Sequence, residues 1–182
     1  ISQRTSRVRL GTACMVSSTR NPLYLALEWA TLDQISGGRT ILGTGIGNPE
    51  QGVQREVAAL GLDFRRRGTI FEEGLAAIRS LWTEGKVTLD GDIYRYDDVG
   101  FFSGTEMAPL QPIQKPPPIW VVSNPRLVRD LPPEQMRSRM ERACRRVIQY
   151  GDGWMTCCRA QHPEELVEQI DVLRDAAGEL GA

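Results

Sequence analysis

Residues 31–47 read TLDQISGGRTILGTGIG, and this stretch decides the fold. A helical pattern ends at Gly37 and Gly38, and the β-prone residues 40–42 follow at once. The predicted strand then ends in three alternating glycines, Gly43, Gly45 and Gly47. A helix that leads into a short apolar strand and a glycine-rich turn is typical of α/β proteins with a parallel sheet.

The residues before this stretch predict a strand and the start of its helix. Residues 8–13 are short, β-prone and apolar on alternate positions. A polar turn follows, in which Asn21 is a good N-cap and Pro22 suits the first helical turn. We therefore predict a helix from Pro22 to the two glycines, with an apolar face of Leu23, Ala26, Leu27, Ala30 and Ile35.

The residues after it predict a second helix and a hairpin. Thr69 and Glu72 have the spacing of a capping box, and the predicted apolar face comprises Phe71, Leu75, Ile78, Leu81 and Trp82. Residues 87–96 form two β-prone runs around Asp90 and Gly91, a pair preferred in tight turns, and predict a β-hairpin. We interpret residues 86–115 as an insertion in the main architecture.

The last third of the chain repeats the strand–helix alternation. Three prolines precede residues 119–122, an apolar run typical of a parallel strand covered on both faces. A helix up to Gly151 follows, then a strand over residues 153–157 and a helix from Pro163 to Gly178. The inward positions of these two helices are Met136, Met140, Ala143, Val147 and Tyr150, then Leu166, Ile170, Leu173 and Ala177.

The element order β-α-β-α-hairpin-β-α-β-α predicts a parallel sheet with helices outside it. Four such units make half of a (β/α)₈ barrel, which typically takes about 250 residues. The 182 residues therefore predict a barrel fragment, and a small doubly wound sheet is the alternative.

Composition favours a small-molecule partner. Lys and Arg total 22 against 23 Asp and Glu, so no net field recruits nucleic acid or an anionic membrane. No apolar run reaches the roughly 20 residues of a membrane-spanning helix, which favours a cytoplasmic location. Four cysteines, Cys14, Cys144, Cys157 and Cys158, match no disulfide framework, and we expect reduced thiols. Cys157, Cys158 and His162 lack zinc-site spacing, so we predict no metal.

The positions after each predicted strand are the candidate site, because ligands of parallel α/β sheets bind there. Ala13, Cys14 and Met15 offer small residues that a flat ring can approach, although ordinary strand packing explains them too. Residues 43–48 lack the third glycine of the dinucleotide fingerprint, since position 48 is Asn. Ser123 and Asn124 form a polar turn that suits either a phosphate or a helix cap. Residues 65–67, three arginines, fit a solvated basic run better than a phosphate site.

An ordered set of motifs resembles the bacterial luciferase-like flavin-dependent oxidoreductase family (luciferase-like monooxygenases). The strongest runs are residues 10–12 through Asn21-Pro22, residues 31–39 and residues 42–45. Supporting runs are residues 61–64 with Arg67 and Glu72, Leu81-Trp82, residues 117–121 and residues 152–154. Together they span nearly the whole chain in the order in which the family has them.

The resemblance implies a (β/α)₈-barrel fragment from about the third strand to the sixth helix. It also implies FMN, or the deazaflavin coenzyme F-420, at the carboxyl ends of the strands. By the same resemblance Ala13 and Cys14 match a bulged strand end that carries a cis non-prolyl peptide bond behind the ring in several members. Gly43, Thr44 and Gly45 match the strand end beside the ring, and Ser123 with Asn124 matches a turn that contacts the phosphate.

Two positions depart from the pattern of the family. Many members have Gly-Gly where this chain has Val122-Ser123, which puts phosphate contact through bare backbone in doubt. Many have His where this chain has Asn21, and an Asn side chain is no general acid or base near neutral pH. We expect any proton donor to lie elsewhere.

The leading functional hypothesis is a monooxygenase that uses reduced FMN and dioxygen on a small organic substrate. One alternative passes hydride to or from a deazaflavin. Another is a non-catalytic half-barrel that pairs with a second chain through open strand edges at residues 8–13 and 153–157. A homodimer is one form of such pairing. A nicotinamide-binding doubly wound domain ranks below these, because the fingerprint glycine is missing at Asn48.

Overall fold

The structure is a computed structural model that describes residues 1–101, 110–123, 132–156 and 163–181. The chain forms two compact units, Ile1–Pro118 and Ile119–Ala182, and each is described by itself. The first unit contains β1 (Leu10–Gly11), β2 (Met15–Val16), α1 (Pro22–Ser36), β3 (Thr40–Gly45), α2 (Gln51–Ala59), α3 (Arg67–Glu84), β4 (Lys86–Asp90) and β5 (Arg95–Gly100). The second contains β6 (Ile119–Val122), α4 (Pro133–Tyr150), β7 (Gly153–Trp154) and α5 (Pro163–Leu180).

Strand β3 is the centre of the first unit, and all six of its residues are buried. β1 and β2 both pair with it in parallel. The predicted strand over residues 8–13 is thus shortened to β1, and β2 follows it as a second short strand that was not predicted. Leu10 and Gly11 pair with Thr40 and Ile41, and Met15 and Val16 pair with Thr44 and Gly45. Residues 12–14 lie between β1 and β2, whereas only residues 42 and 43 lie between their partners in β3. The extra residue before β2 makes a β-bulge.

Helix α1 begins and ends where the sequence predicts. The Asn21 Oδ1 atom accepts from the backbone N–H of Leu23 at 2.9 Å, and Gly37 closes the helix with a φ of 71°. The predicted apolar face is partly wrong, because Ile35 is 52% exposed. The buried face instead runs through Pro22, Leu25, Ala26, Trp29, Ala30, Asp33 and Ser36, and it includes polar side chains that hydropathy overlooks.

The next two helices also differ from the predictions at their starts. α2 was not predicted, because Pro49 and Gly52 suggest an open segment, yet Gly52 is tolerated in the first helical turn. α3 begins at Arg67, two residues before the predicted cap Thr69. A 3₁₀ turn, Phe64–Arg66, leads into it, and the Asp63 side chain caps that turn by accepting from Arg65 N–H. The predicted apolar face of α3 is confirmed, since all five side chains are buried.

The predicted hairpin is confirmed as a separate two-stranded antiparallel sheet of β4 and β5. Its turn is longer than an Asp-Gly turn requires, because Asp90 pairs with Arg95 and Gly91 N–H donates to Tyr94 C=O. The Glu73 carboxylate of α3 accepts from the backbone N–H groups of residues 92–94 at 2.8–3.0 Å. Burial raises the pKa of this carboxyl, but the three N–H donors and nearby Arg66 bring it below the ordinary value.

In the second unit β6 and β7 pair in parallel, with Trp120 opposite Gly153. α4 packs against β6 and α5. Met140, Ala143 and Val147 of the predicted α4 face are buried, as is Cys144. α5 begins at Pro163 as predicted and continues past Gly178 to Leu180. Of the predicted strand over residues 153–157, β7 covers only residues 153 and 154, and Cys157 lies outside the described residues.

No helix in the described part of the chain is long and apolar enough to cross a membrane.

Candidate functional site

The bulge between β1 and β2 contains a cis peptide bond between Ala13 and Cys14. The cis non-prolyl bond that the resemblance implies is therefore present at the expected position. Both residues are exposed, and the Thr12 hydroxyl donates to the Gly43 carbonyl at 2.7 Å across the bulge. The bulge thus presents two small side chains at the carboxyl end of the strand, held to β3 by Thr12.

The alternation along β3 places its two glycines on one face. The Thr40 hydroxyl donates to Asp33 of α1, so Thr40 faces the helix, and Leu42 and Thr44 share that face. Ile41, Gly43 and Gly45 lie on the opposite face, where the last two contribute no side chain. Both glycines are buried, like the rest of β3, and they put no side chain into the space beside the bulge.

A group of hydroxyls fixes the geometry of this end of β3. The Thr44 hydroxyl contacts the Met15 carbonyl at 3.1 Å and the Ser17 hydroxyl at 2.8 Å. Ser18 donates to the Ile46 carbonyl at 3.3 Å. All three hydroxyl-bearing residues are buried, with Thr44 and Ser18 fully so. The sequence analysis singled out Thr44 but missed Ser17 and Ser18, and only their position after the strand could have indicated them.

Gly47 closes the same edge. Its φ is 79°, and a Cβ there would lie 3.0 Å from Val16 Cγ1 and 3.0 Å from Val53 Cγ1. Only glycine combines that backbone conformation with this close packing. The third glycine of the stretch therefore holds α2 close to β2 and has a packing role.

The structure brings five of the seven predicted site residues together: Ala13, Cys14, Gly43, Thr44 and Gly45. The sixth, Ser123, lies in the second unit directly after β6 and is buried, with 6% of its surface exposed. The Arg146 guanidinium of α4 donates to its hydroxyl at 3.5 Å. The seventh, Asn124, lies outside the described residues.

Asn21 has a structural role. Its Oδ1 atom accepts from Leu23 N–H and from Tyr24 N–H at 3.4 Å, which fills the N-cap position of α1. The capping prediction is confirmed, and it accounts for an amide at a position where many members of the resembled family have histidine.

A second polar cluster lies at the opposite, amino end of β3. Asp33 is fully buried and accepts from the Thr40 hydroxyl at 2.6 Å, from Gln114 N–H at 2.9 Å and from Gln114 Nε2 at 2.8 Å. Gln114 Nε2 also donates to the Thr40 carbonyl at 2.9 Å. Burial raises the pKa of Asp33, and the hydrogen bonds more than offset it, so the pKa lies below the ordinary 3.8. The carboxylate has its acceptor sites filled by protein donors, which is typical of a structural group.

Arg39 completes this cluster. Its guanidinium donates to the Val8 carbonyl at 2.6 Å, to the Ser2 and Thr5 carbonyls at 2.9 Å, and to Ser36 C=O at 2.6 Å. The motif over residues 31–39 therefore connects α1, β3 and the N-terminal segment through hydrogen bonds. Its residues carry much of the family resemblance but do not line the candidate site.

The remaining candidates have ordinary partners or lie outside the description. Arg65 pairs with Asp63, Arg66 pairs with Asp92, and the Arg67 guanidinium lies 4.3 Å from the Phe64 ring centroid. Burial raises the pKa of the Cys144 thiol to about 11, so this thiol stays protonated at neutral pH. No cluster of three metal-ligating side chains occurs among the described residues, which do not include Cys157, Cys158 or His162.

The comparison with solved structures confirms the fold class. The monooxygenase RslO1 from Streptomyces bottropensis is 28% identical, with a TM-score of 0.69 over 99% of this chain and 47% of its own. The FMN complex of the oxygenating constituent of 3,6-diketocamphane monooxygenase from Pseudomonas putida is 20% identical, with a TM-score of 0.70 over 99% of this chain and 46% of its own. The α/β architecture is that of part of a (β/α)₈ barrel.

The comparison of sequences identifies the family. An F420-dependent glucose-6-phosphate dehydrogenase from Intrasporangium calvum is 36% identical over 130 residues, which are 69% of this chain and 36% of that protein. This chain spans about a third to a half of the length of the relatives that it matches. Residues 1–182 match the family described as Luciferase-like monooxygenase. The chain therefore belongs to the luciferase-like monooxygenase family.

Proposed function

We propose that the protein is an oxidoreductase that binds a flavin-type cofactor at the carboxyl end of β3. The observation that carries the proposal is the bulge at Ala13 and Cys14, next to the two glycines of β3. Small exposed side chains and bare backbone together fit a planar tricyclic ring better than they fit a polar substrate.

The residues of this edge have separate roles in the proposal. Ala13 and Cys14 support one face of the ring, and Gly43 and Gly45 let its edge approach the backbone. Thr44 and Ser17 act indirectly, because their mutual hydrogen bond at 2.8 Å fixes β2 against β3. The phosphate contact of Ser123, which the family resemblance implies, stays a prediction. When bound, the cofactor supplies the redox chemistry, and the protein orients the ring and excludes water.

The first candidate reaction is monooxygenation of a small organic substrate by reduced FMN and dioxygen. It is supported by the family and by the likeness to the monooxygenase RslO1 at 28% identity. Among the described residues, the groups named at this edge are the hydroxyls of Thr44, Ser17 and Ser18, backbone amides and the Cys14 thiol, and they include no carboxylate or imidazole. Asn21 is engaged as a helix cap, which agrees with a proton donor located elsewhere.

The second candidate is hydride transfer to or from the deazaflavin coenzyme. A specific observation favours it, since relatives named for F420 or for methanopterin reduction are 33–36% identical to parts of this chain. Deazaflavin has carbon in place of the ring nitrogen at position 5, so its reduced form donates hydride and does not activate dioxygen. The two candidates therefore need different co-reactants at the same edge.

The test uses the full-length natural protein, titrated separately with FMN and with coenzyme F-420 while ring absorbance and fluorescence are followed. Saturable binding of either ring is the expected result. Rapid dioxygen consumption with reduced FMN would favour the first candidate, and exclusive binding of the deazaflavin would favour the second. A folded protein that binds neither ring would overturn the proposal. Pairing with a second chain stays a prediction.

A further inference from the structure

The two helices of the second unit carry opposite net charges. α4 contains five arginines against two glutamates, which gives a net charge of +3. α5 contains six carboxylates against one arginine, which gives a net charge of −5. The whole chain is nearly neutral, with 22 basic and 23 acidic residues, so overall composition does not explain this separation. Because the two helices pack against each other, a basic surface lies beside an acidic one in the same unit.

The outward face of α5 is acidic. Four carboxylate residues share this face, at intervals of four, three and four positions: Glu164, Glu168, Asp171 and Asp175. All four are exposed, whereas Gln169 and Ala176 of the same helix are buried. Asp171 pairs with Arg174, and the other three carboxylates have no ion-pair partner among the described residues. The face therefore presents negative charge that the rest of the unit does not neutralise.

The exposed face of α4 carries the complementary charge. Arg139 and Arg142 are both exposed and lie about one turn apart. Arg142 donates to the Ser138 hydroxyl at 2.9 Å, and no carboxylate of the described residues lies within ion-pair distance of either arginine. Arg137 and Arg145 of the same helix instead have carboxylate partners. The positive charge of this face is thus concentrated at Arg139 and Arg142.

The same part of α4 has room for side chains from outside. A depression of about 360 Å³ is lined by residues from the first half of the helix: Glu134, Gln135, Ser138, Arg139 and Arg142. Two guanidinium groups outnumber the one carboxylate of this lining. Guanidinium groups bind carboxylates through paired N–H donors, so the depression suits an acidic side chain.

We propose that the outward faces of α4 and α5 form a surface that binds a second copy of this chain. The arginines of α4 in one copy lie against the carboxylates of α5 in the other, and a two-fold axis makes this contact twice. Val167, which is 55% exposed at the side of the acidic face, adds an apolar contact. This surface differs from the strand edges that the sequence suggests for pairing, and it does not depend on the proposed cofactor site.

A second copy fits this surface better than a polyanion does. Nucleic acid or an anionic membrane is attracted to α4 but repelled by the neighbouring α5, whereas a second copy offers the opposite charge to each helix. Exposed ion pairs stabilise little one by one, and salt screens them. The association should therefore be strongest at low ionic strength.

The experiment measures self-association of the full-length protein by sedimentation equilibrium. The two conditions are about 0.1 M and about 1 M NaCl, between which the screening length falls from roughly 10 Å to roughly 3 Å. We expect an association constant at least about tenfold lower at the higher salt concentration. A protein that is monomeric in both conditions would overturn the inference, as would an association constant that salt does not lower.

Charge reversal tests which residues make the contact. The double variants R139E/R142E and E168R/D175R should each self-associate at least about tenfold more weakly than the wild type at low salt. An equimolar mixture of the two should recover association, because each reversed face then meets its complement. The control R4E/R55E makes the same change in net charge at exposed positions of the first unit and should behave like the wild type. Unchanged self-association in both test variants, or a mixture that does not recover it, would contradict the proposed surface.

Discussion

The two ends of β3 differ in what they do with their polar groups. At the amino end, Asp33, Thr40 and Gln114 satisfy one another in a buried cluster that leaves nothing for a ligand. At the carboxyl end, the chain bulges at Ala13 and Cys14 and exposes both. The amino end of this strand is thus built for stability, and the carboxyl end is the proposed binding end, as in barrel enzymes generally.

The largest expected effect is on stability, and it comes from removing the Asp33 carboxylate at the amino end of β3. Asp33→Ala removes the acceptor of the buried Thr40 hydroxyl and of two donors of the half-buried Gln114. We expect a loss of about 3 kcal/mol or more in the free energy of unfolding. Ring affinity of the molecules that remain folded should not change. Urea denaturation measures the first effect and cofactor titration the second.

Glu28 provides the matched control. It is an acidic residue on the same helix but is exposed, and Glu28→Ala should change the free energy of unfolding by no more than about 0.5 kcal/mol. Equal losses in Asp33→Ala and Glu28→Ala would contradict the role given to the buried cluster.

A smaller effect should appear as a pH dependence of stability. The pKa of Asp33 in the folded state lies below its ordinary 3.8 because Thr40 and Gln114 donate to the carboxylate. Its contribution is therefore fully present well above pH 3.8 and is lost as the pH falls through the folded pKa. In Asp33→Asn the acid-induced loss of stability should be shallower. Denaturation midpoints between pH 6 and about pH 3 test this, and identical slopes for both proteins would speak against it.

The smallest expected effect on stability comes from removing the Asn21 cap of α1. Asn21 stands where many members of the family have histidine, yet its contacts are those of a helix cap. Asn21→Ala should cost about 1 kcal/mol in the free energy of unfolding and leave ring affinity unchanged. Asn21→Ser, another good cap, should recover most of the stability. A loss of ring affinity in both variants would show that Asn21 belongs to the site after all.

Much of the architecture follows from local patterns, and the exceptions have physical causes. The caps of α1, the buried face of α3 and the hairpin were predicted because their signals lie within a few residues. α2 was missed, since Gly52 and Pro49 locally favour an open segment. The burial of Asp33 was missed because its partner Gln114 is 81 residues away in sequence.

In the candidate site too, some features were predicted and others were not. The cis bond at Ala13-Cys14 was expected from the family resemblance and is present, although no propensity predicts it from the residues alone. Ser17 was not predicted, because its hydrogen bond depends on Thr44, which folding brings near. Local sequence therefore predicts which strand ends carry the candidate site, and the structure adds the side chains that contact them.

The most direct test of cofactor binding at the bulge is a large side chain placed at Ala13. Ala13 is exposed, so Ala13→Phe should fold with near wild-type stability while its ring occupies the proposed place of the cofactor. Ala76→Phe, at an exposed position of α3, is the matched control. The measurement is the equilibrium affinity of the folded full-length variants for FMN and for coenzyme F-420. The account predicts at least about a tenfold loss, or roughly 1.4 kcal/mol, for Ala13→Phe and none for Ala76→Phe. Unchanged affinity in a folded Ala13→Phe variant would contradict it.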